Sequence, residues 1–249
     1  EKIVRQAERR LKELQEKYGE VFNFYYRKRI YSPRQGKWLG WDRKRGAIVE
    51  LVRFLKGRKD TSIIALNQWE ETFQYIITID ADTKLPYKLA NTLVGGMVHP
   101  LNRPVVQNGA VVEGYGLMTT KIGVDIIDAN KSTYSKIFAG QGGIDPYSAR
   151  TFEIYQDLFQ EGIFAGKGIF DIDVFYRVLD QAFPEDTILS HDLLEGSYLR
   201  TGFMGDREMI DGFPSMFLSQ TARLNRWTRG DWQIAPWLCR KVTDGTGTR

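Results

Sequence analysis

The stretch Tyr75 to Pro86, YIITIDADTKLP, constrains the fold more than any other part of the chain. Tyr75, Ile76, Ile77 and Ile79 make a nearly continuous run of β-formers, the pattern of a strand buried in a parallel sheet. The run ends in Asp80-Ala81-Asp82, and on extended chain two carboxylates at i, i+2 share a face. At the carboxyl end of a strand they stand where open α/β sheets bind ligands. Paired hard oxygens there suit Mg²⁺ or Mn²⁺ held partly by substrate phosphates. An ordinary turn after a strand accounts for the same residues more plainly, because Asp is common in turns.

The rest of the composition narrows the choice. A chain of 249 residues fits one large domain with a sizeable core, and 42% hydrophobic residues exclude a disordered chain. The net charge of +4 admits an anionic ligand without arguing for a nucleic-acid surface. Cys239 is the only cysteine, so an intrachain disulfide and a cysteine-built zinc site are excluded. With only His99 and His191 as histidines, a bound metal would rest on carboxylates. No apolar run reaches the roughly 18 residues of a membrane helix and no signal peptide opens the chain, so the expectation is a soluble protein.

Residues 1 to about 17 read as an amphipathic helix with Ile3, Val4, Ala7, Leu11 and Leu14 on one stripe, stopped by Gly19. Val21 to Tyr26 reads as a strand and Ser32 to Trp41 as a loop. Arg43-Lys44-Arg45-Gly46 opens a helix to about Leu55, where basic residues oppose the helix dipole. Such a start suits phosphate, although a solvated basic face explains it equally. Thr61 to Leu66 suggests a short strand or part of a loop leading to the central strand. After Pro86 a helix runs to about Val98, with His99 structural, and Val105 to Tyr115 holds one or two strands. Asp125 to Phe138 reads as helical, Ala139 to Pro146 as a glycine-rich loop, and Phe152 to Glu161 as a helix with Asp157 and Glu161 on one face.

Ile163 to Phe170 is apolar but interrupted by Gly166-Lys167-Gly168, a mark of close approach by a ligand or another backbone. Asp171 suits the N-cap of a helix to Leu179. Ser190-His191-Asp192 opens another helix, Ser219 to Trp237 is mostly helical, and Thr243 to Arg249 reads as a flexible end. Strands alternating with helices indicate an α/β layered domain. The chain opens on a helix, so the first strand of a doubly wound unit is expected to be missing.

In order, the chain offers a basic helix start, an Asp-x-Asp, a Gly-Lys loop, an Asp at a helix start and Arg226-Trp227. This order resembles the inverting, processive-type glycosyltransferases of GT-A fold. More narrowly, YYRKRIYSPRQGKWLGWDRKRGAIVEL, YIITIDADTKLP, HPLNRP, GGIDPY, GKGIFDIDVF, SHDLLEG and RWTRGDWQ resemble the glycosyltransferase domain of bacterial cyclic β-1,2-glucan synthases. The resemblance covers about Phe24 to Trp237 and implies a Rossmann-like mixed sheet flanked by helices. It divides the chain into a transferase domain over 1–238, lacking its first strand, and a tail over 239–249.

The resemblance also implies UDP-glucose as donor, a growing β-1,2-glucan as acceptor and Mg²⁺ or Mn²⁺ as cofactor. Asp80 and Asp82 match the metal and diphosphate motif, and Asp192 matches the catalytic base, with Ser190-His191 in place of Thr-Glu. Lys44 and Gly46 match the donor-side helix start, and Phe164, Gly166 and Lys167 match the segment lining the sugar pocket. Arg226 and Trp227 match the Arg-Trp pair, while Arg223 stands where the superfamily has Gln. The implied setting is a cytoplasmic part of a larger synthase in a bacterial inner membrane. An incomplete sheet would leave an edge open to self-association.

Other readings follow from the residues alone. A non-catalytic nucleotide-sugar or carbohydrate module would use the same site without turnover. A nucleic-acid binder would use Arg27 to Arg29 and Arg43 to Arg45, and a glycoside hydrolase would use Asp157 and Glu161. Neighbours on one helix do not readily flank a scissile bond.

Overall fold

A computed structural model describes residues 2–66, 72–139, 154–188, 192–239, 242 and 245, and the chain divides after Phe73 into two compact units. In the first, helix α1 (Lys2–Tyr18) ends at Gly19, whose φ of +84° lets its N–H reach the Gln15 carbonyl at 2.8 Å. Of the predicted apolar stripe only Leu11 is buried. Strand β1 (Tyr25–Arg27) occupies only the end of the expected strand. The segment from Ser32, expected as loop, takes part in a hairpin of β2 (Ile30–Ser32) and β3 (Lys37–Leu39). Gly36, one of the residues that mark the stretch as a turn, bends the chain at φ +64°, and Tyr31 meets Trp38 edge-on across the pair at 5.9 Å, a contact the sequence reading missed. Helix α2 (Arg43–Leu55) runs as expected, and β4 (Ile63–Ala65) pairs antiparallel with β1.

The second unit is built on a four-stranded sheet. Its members are β5 (Tyr75–Thr78), β8 (Leu117–Val124), β9 (Gly168–Asp171) and β10 (Thr201–Asp211), in the order β10-β8-β9-β5. A separate hairpin, β6 (Val105–Gln107) with β7 (Ala110–Glu113), precedes β8. The opening stretch is therefore a strand, but not a central parallel one. β5 is half-buried and pairs with β9 alone among the described residues, in antiparallel register from Tyr75–Asp171 to Thr78–Gly168. β8 and β10 pair in parallel, so the sheet is mixed.

Neither β8 nor β10 is anticipated from sequence. In β8, LMTTKIGV, buried threonines break the apolar run, and Thr119 satisfies its hydroxyl on the Lys167 carbonyl at 2.7 Å. In β10 the register shifts between Met204 and Glu208, and the skipped residues interrupt its period-two pattern.

Helices cover the sheet. On α3 (Leu89–Val98), Leu89, Leu93 and Met97 pack with Met118, Ile169 and Met209. Gly96 allows the approach, since a Cβ there would lie 2.8 Å from the Met118 sulfur. Adjacent residues of a strand face opposite ways, and while Ile169 joins α3, Phe170 meets Phe175 of α7 (Ile172–Leu179), ring centroids 4.5 Å apart. Asp171 caps α7 as expected, accepting from the Val174 N–H at 2.9 Å.

The region 125–138 forms two short helices, α4 (Ile126–Ala129) and α5 (Thr133–Phe138), because Ser132 starts a fresh N-cap. Helix α6 (Ile154–Phe159) stops before Glu161, and Gln160 beyond it has a φ of +57°. Asp157 and Glu161 thus do not form the expected pair on one helix face; Glu161 binds Arg200 at 3.2 Å instead. Helices α8 (Asp192–Leu199) and α9 (Phe217–Ile234) complete the unit. Most of the glycine-rich loop, Ser190 and His191, and nearly all of the expected flexible end lie outside the described residues.

Candidate functional site

The sheet gathers charge at one end. β5, β8 and β10 run in one direction and β9 in the other, so three strands finish where β9 begins. Asp80 and Asp82 follow β5, Asp125 follows β8, Asp211 ends β10, and Lys167 precedes β9. This is the carboxyl-end location anticipated for the Asp-x-Asp.

Lys167 is the hub. Its buried ammonium lies 3.0 Å from Asp80 Oδ2 and 2.8 Å from Asp211 Oδ2. Burial opposes the lysine's charge, but its hydrogen bond to Asp211 and the carboxylate of Asp80 outweigh it, raising the pKa above 10.5. Asp211 is only 2% exposed and also accepts from the Thr83 hydroxyl at 2.6 Å. Thr83 in turn accepts from the Asp80 N–H at 3.2 Å and closes the turn that carries Asp80. Lys84 exchanges backbone hydrogen bonds with Ile210, and its ammonium pairs with Asp125. The Asp-x-Asp turn is thereby tied to the end of β10 by backbone and by charge.

Asp82 sits on the open side of this network. A Cβ on Gly212 would come 2.8 Å from Asp128 Oδ2 and 3.3 Å from Asp82 Oδ2, so the glycine keeps a space between two carboxylates clear. Asp82 Oδ2 also lies 3.5 Å from Nη2 of Arg223 on α9, whose guanidinium is 5.6 Å from the centre of the Trp227 ring. Trp227 is half-buried and Arg226 is exposed on the same helix.

Asp80 and Asp82 both keep about two-fifths or more of their side chains exposed, 40% and 46%. Among the described residues no three histidine, cysteine or carboxylate side chains converge on one point. Asp80 and Asp82 are partly accessible carboxylates, the donor type through which Mg²⁺ or Mn²⁺ is held together with substrate phosphates, and Asp82 borders the space kept clear by Gly212.

Asp192 begins α8, where the helix dipole favours negative charge. Its carboxylate packs on Gly166, where a Cβ would lie 2.8 Å from Oδ2, and Gly166 has a φ of +80°. Glycine is required here twice, for backbone and for space. The expected base therefore abuts the residue before Lys167. Phe164 is buried behind this loop, so close to Gly196 of α8 that a Cβ there would meet its own at 2.8 Å.

Lys44 and Gly46 lie in the first unit. Gly46 is buried, and a Cβ there would fall 2.2 Å from the Trp41 carbonyl oxygen and 2.9 Å from Arg27 Nη2. The basic residues nearby are engaged internally. Arg45 is buried and 2.8 Å from Asp42, and Arg27 is 2.8 Å from Glu50 while donating to the Trp41 and Arg43 carbonyls. Burial pushes the Glu50 carboxyl up, but the Ser62 hydroxyl, Arg27 and Trp41 outweigh it and hold its pKa below 4.5. Half-buried Lys44 stands on the first turn of α2.

Sequence reasoning brings Asp80, Gly166, Lys167 and Asp192 to one place, and the structure gathers them there. It misses Asp211, Thr83 and Gly212. A signal existed: Met209-Ile210-Asp211-Gly212 repeats the pattern of apolar strand ending in Asp seen at Ile77 to Asp80.

No protein-family model matches the chain. Over 244 residues, 95% of its length, it is 38% identical to the cyclic beta-(1,2)-glucan synthase NdvB of Rhizobium meliloti (strain 1021). The chain spans 9% of that protein's length. The resemblance carried by the motifs is borne out, and what the chain resembles is a segment of that synthase.

Proposed function

We propose that this chain carries an inverting GT-A-type glucosyl-transfer site that uses UDP-glucose to lengthen a β-1,2-glucan within a larger membrane-bound synthase. The observation that carries the reading is the line of contacts from Asp192 through Gly166 and Lys167 to Asp80, which sets a further carboxylate beside a cation-and-carboxylate cluster at the strand ends. The similarity to a glucan synthase supplies the substrate class.

Each residue has a chemical task. Departure of UDP from the glucose C1 leaves negative charge on the diphosphate, and preorganised cations stabilise it. Asp80 and Asp82 would hold Mg²⁺ or Mn²⁺, which supplies further neutralisation of that charge. Lys167, fixed by Asp211 and fully charged, contributes a positive potential that needs no rearrangement during the reaction. Asp192 accepts the proton of the acceptor 2-hydroxyl as that oxygen attacks C1 from the face opposite UDP. One base then suffices, whereas retention would need a second positioned carboxylate as nucleophile. Phe164 and Gly166 belong to the donor side of the reading, and a role for Lys44 and Gly46 rests on the motif resemblance alone. Trp227 offers the sugar an apolar platform next to the phosphate-binding Arg226.

The test is UDP release by the chain supplied with UDP-glucose, Mn²⁺ and β-1,2-glucan oligosaccharides. Asp192→Asn is expected to cut release by ~10²–10⁴-fold, the usual contribution of a general base, while leaving UDP-glucose affinity unchanged. No release by the unaltered chain, or equal release by the variant, overturns the assignment.

A further inference from the structure

We propose that a groove between the start of α3 and the edge strand β10 is a second carbohydrate subsite, which holds the growing glucan away from the point of transfer. The inference goes beyond the proposed transfer chemistry and rests on that reading only for the identity of the sugar. The side chains that form the groove are not those of the charge cluster around Lys167.

The groove encloses about 470 Å³, within the ~300–1,000 Å³ usual for small-molecule sites. One exposed ring, two cations and two carboxylates line it. Tyr87 is 90% exposed, and the Lys88 ammonium lies 5.3 Å from the centre of its ring. Lys88 leads into α3 with a φ of +62°, a left-handed conformation uncommon outside glycine. On the β10 side, the strand loses step with β8 between Met204 and Glu208, so Asp206 and Arg207 fall outside the ladder and line the groove. Bulges re-aim side chains in this way beside functional sites. Glu208 rejoins the ladder and packs on Gly123, where a Cβ would overlap its Oε1; the glycine leaves room for that carboxylate. Leu89, buried on α3, adds an apolar floor.

The balance of charge selects the ligand class. Lys88 and Arg207 offset Asp206 and Glu208, so the groove has no net charge with which to draw in phosphate or nucleic acid. A neutral, hydroxyl-rich ligand suits it better. Sugar hydroxyls donate to carboxylates and accept from ammonium and guanidinium groups, so one ring serves both signs at once. Arg207 and Asp206 meet each other at 3.5 Å with both side chains more than half exposed, a weak pair that hydroxyls readily replace. The apolar C–H face of the sugar has the Tyr87 ring to rest on. An exposed tyrosine by itself is ordinary, but here it borders a groove furnished with both donors and acceptors. Asp206 to Glu208 precede Asp211 by three to five residues, roughly 10 Å or more of extended strand. An acceptor must therefore extend beyond its reacting sugar to reach from the charge cluster into the groove.

The experiment titrates a β-1,2-linked glucose decasaccharide into the unaltered chain, Tyr87→Ala and Glu208→Gln by calorimetry, with folding checked by far-ultraviolet circular dichroism and thermal melting. Amide resonances of the unaltered chain are followed by nuclear magnetic resonance in a parallel titration. Tyr87→Ala is expected to weaken binding about three- to tenfold, the worth of one aromatic face. Glu208→Gln should weaken it about tenfold, the worth of a hydrogen bond to a charged group. The amides of Tyr87, Lys88 and Arg207 should shift as the decasaccharide is added. If both variants bind it as tightly as the unaltered chain, or if the unaltered chain does not bind it, the groove is not a glucan subsite. Inorganic phosphate that shifts those amides while the decasaccharide does not would mark an anion site and equally overturn the proposal. UDP release from UDP-glucose by the unaltered chain judges the transfer reading separately, since binding in the groove without release sinks that reading and leaves the groove standing.

Discussion

Replacing Lys167 by Met tests the hub of the site through stability alone. The substitution removes an ammonium 3.0 and 2.8 Å from two carboxylates and fills its stem with a similar apolar volume. Asp80 is partly exposed and can recover water, so little is lost on its side. Asp211 cannot, being 2% exposed with the Thr83 hydroxyl at 2.6 Å as its remaining side-chain support. Stranding a buried charge costs about 3–5 kcal/mol, and about 3 kcal/mol is expected here because Thr83 stays.

Asp211→Asn removes the stranded charge, so the double variant should regain about 2 kcal/mol over the sum of the singles. Urea denaturation read by pulsed hydrogen exchange on peptides of β9 and β10 reports the second unit by itself. Folding raises the Lys167 pKa, so its contribution is fully present below 10.5 and is lost only as pH climbs through the higher folded value. The difference between the unaltered chain and Lys167→Met should therefore stay flat from pH 6 to pH 9. A loss below ~1 kcal/mol, the size expected of an exposed pair, or additivity of the two substitutions, would refute the buried bridge.

Gly166→Ala should lower stability by about 1–2 kcal/mol, the cost of placing a side chain in left-handed conformation, and should also push the Asp192 carboxylate aside. UDP release would then fall more steeply than the melting temperature implies, with UDP-glucose affinity kept; unchanged release would show that Asp192 is not held by this glycine. Glu50→Gln should destabilise the first unit by about 2–3 kcal/mol at pH 7, because Arg27 keeps its charge beside a neutral partner. The lowered Glu50 pKa places its contribution above 4.5 and removes it as pH falls through the folded value, so the two proteins should converge in stability in acid; a gap that widens in acid would contradict the assignment.

Much of the site was legible because strand-end carboxylates announce themselves by what precedes them. Tyr75 to Asp82 combines four β-formers with paired acids, and Gly166-Lys167-Gly168 interrupts an apolar run for a reason the structure makes plain. Gly166 admits Asp192, while a Cβ on Gly168 would lie 2.2 Å from the Met118 carbonyl. Strand direction was harder to read. The apolar run of β5 suggested a central parallel strand, but its partner β9 runs antiparallel and hydrophobicity carries no directional information. β8 and β10 hid their character in buried threonines and a register shift, whose costs are met by tertiary contacts such as Thr119 to Lys167. Asp211 was missed because its partners, Thr83 and Lys167, are 128 and 44 residues away in sequence.

The most direct measurement is calorimetric titration of UDP-glucose into the chain with and without Mn²⁺, repeated on Asp82→Asn. If Asp80 and Asp82 form the diphosphate end of a sugar-donor site, binding depends on Mn²⁺, and the substitution weakens it by about tenfold or more, the worth of one charged ligand contact. Binding that depends on Mn²⁺ yet is unaffected by Asp82→Asn would contradict the account.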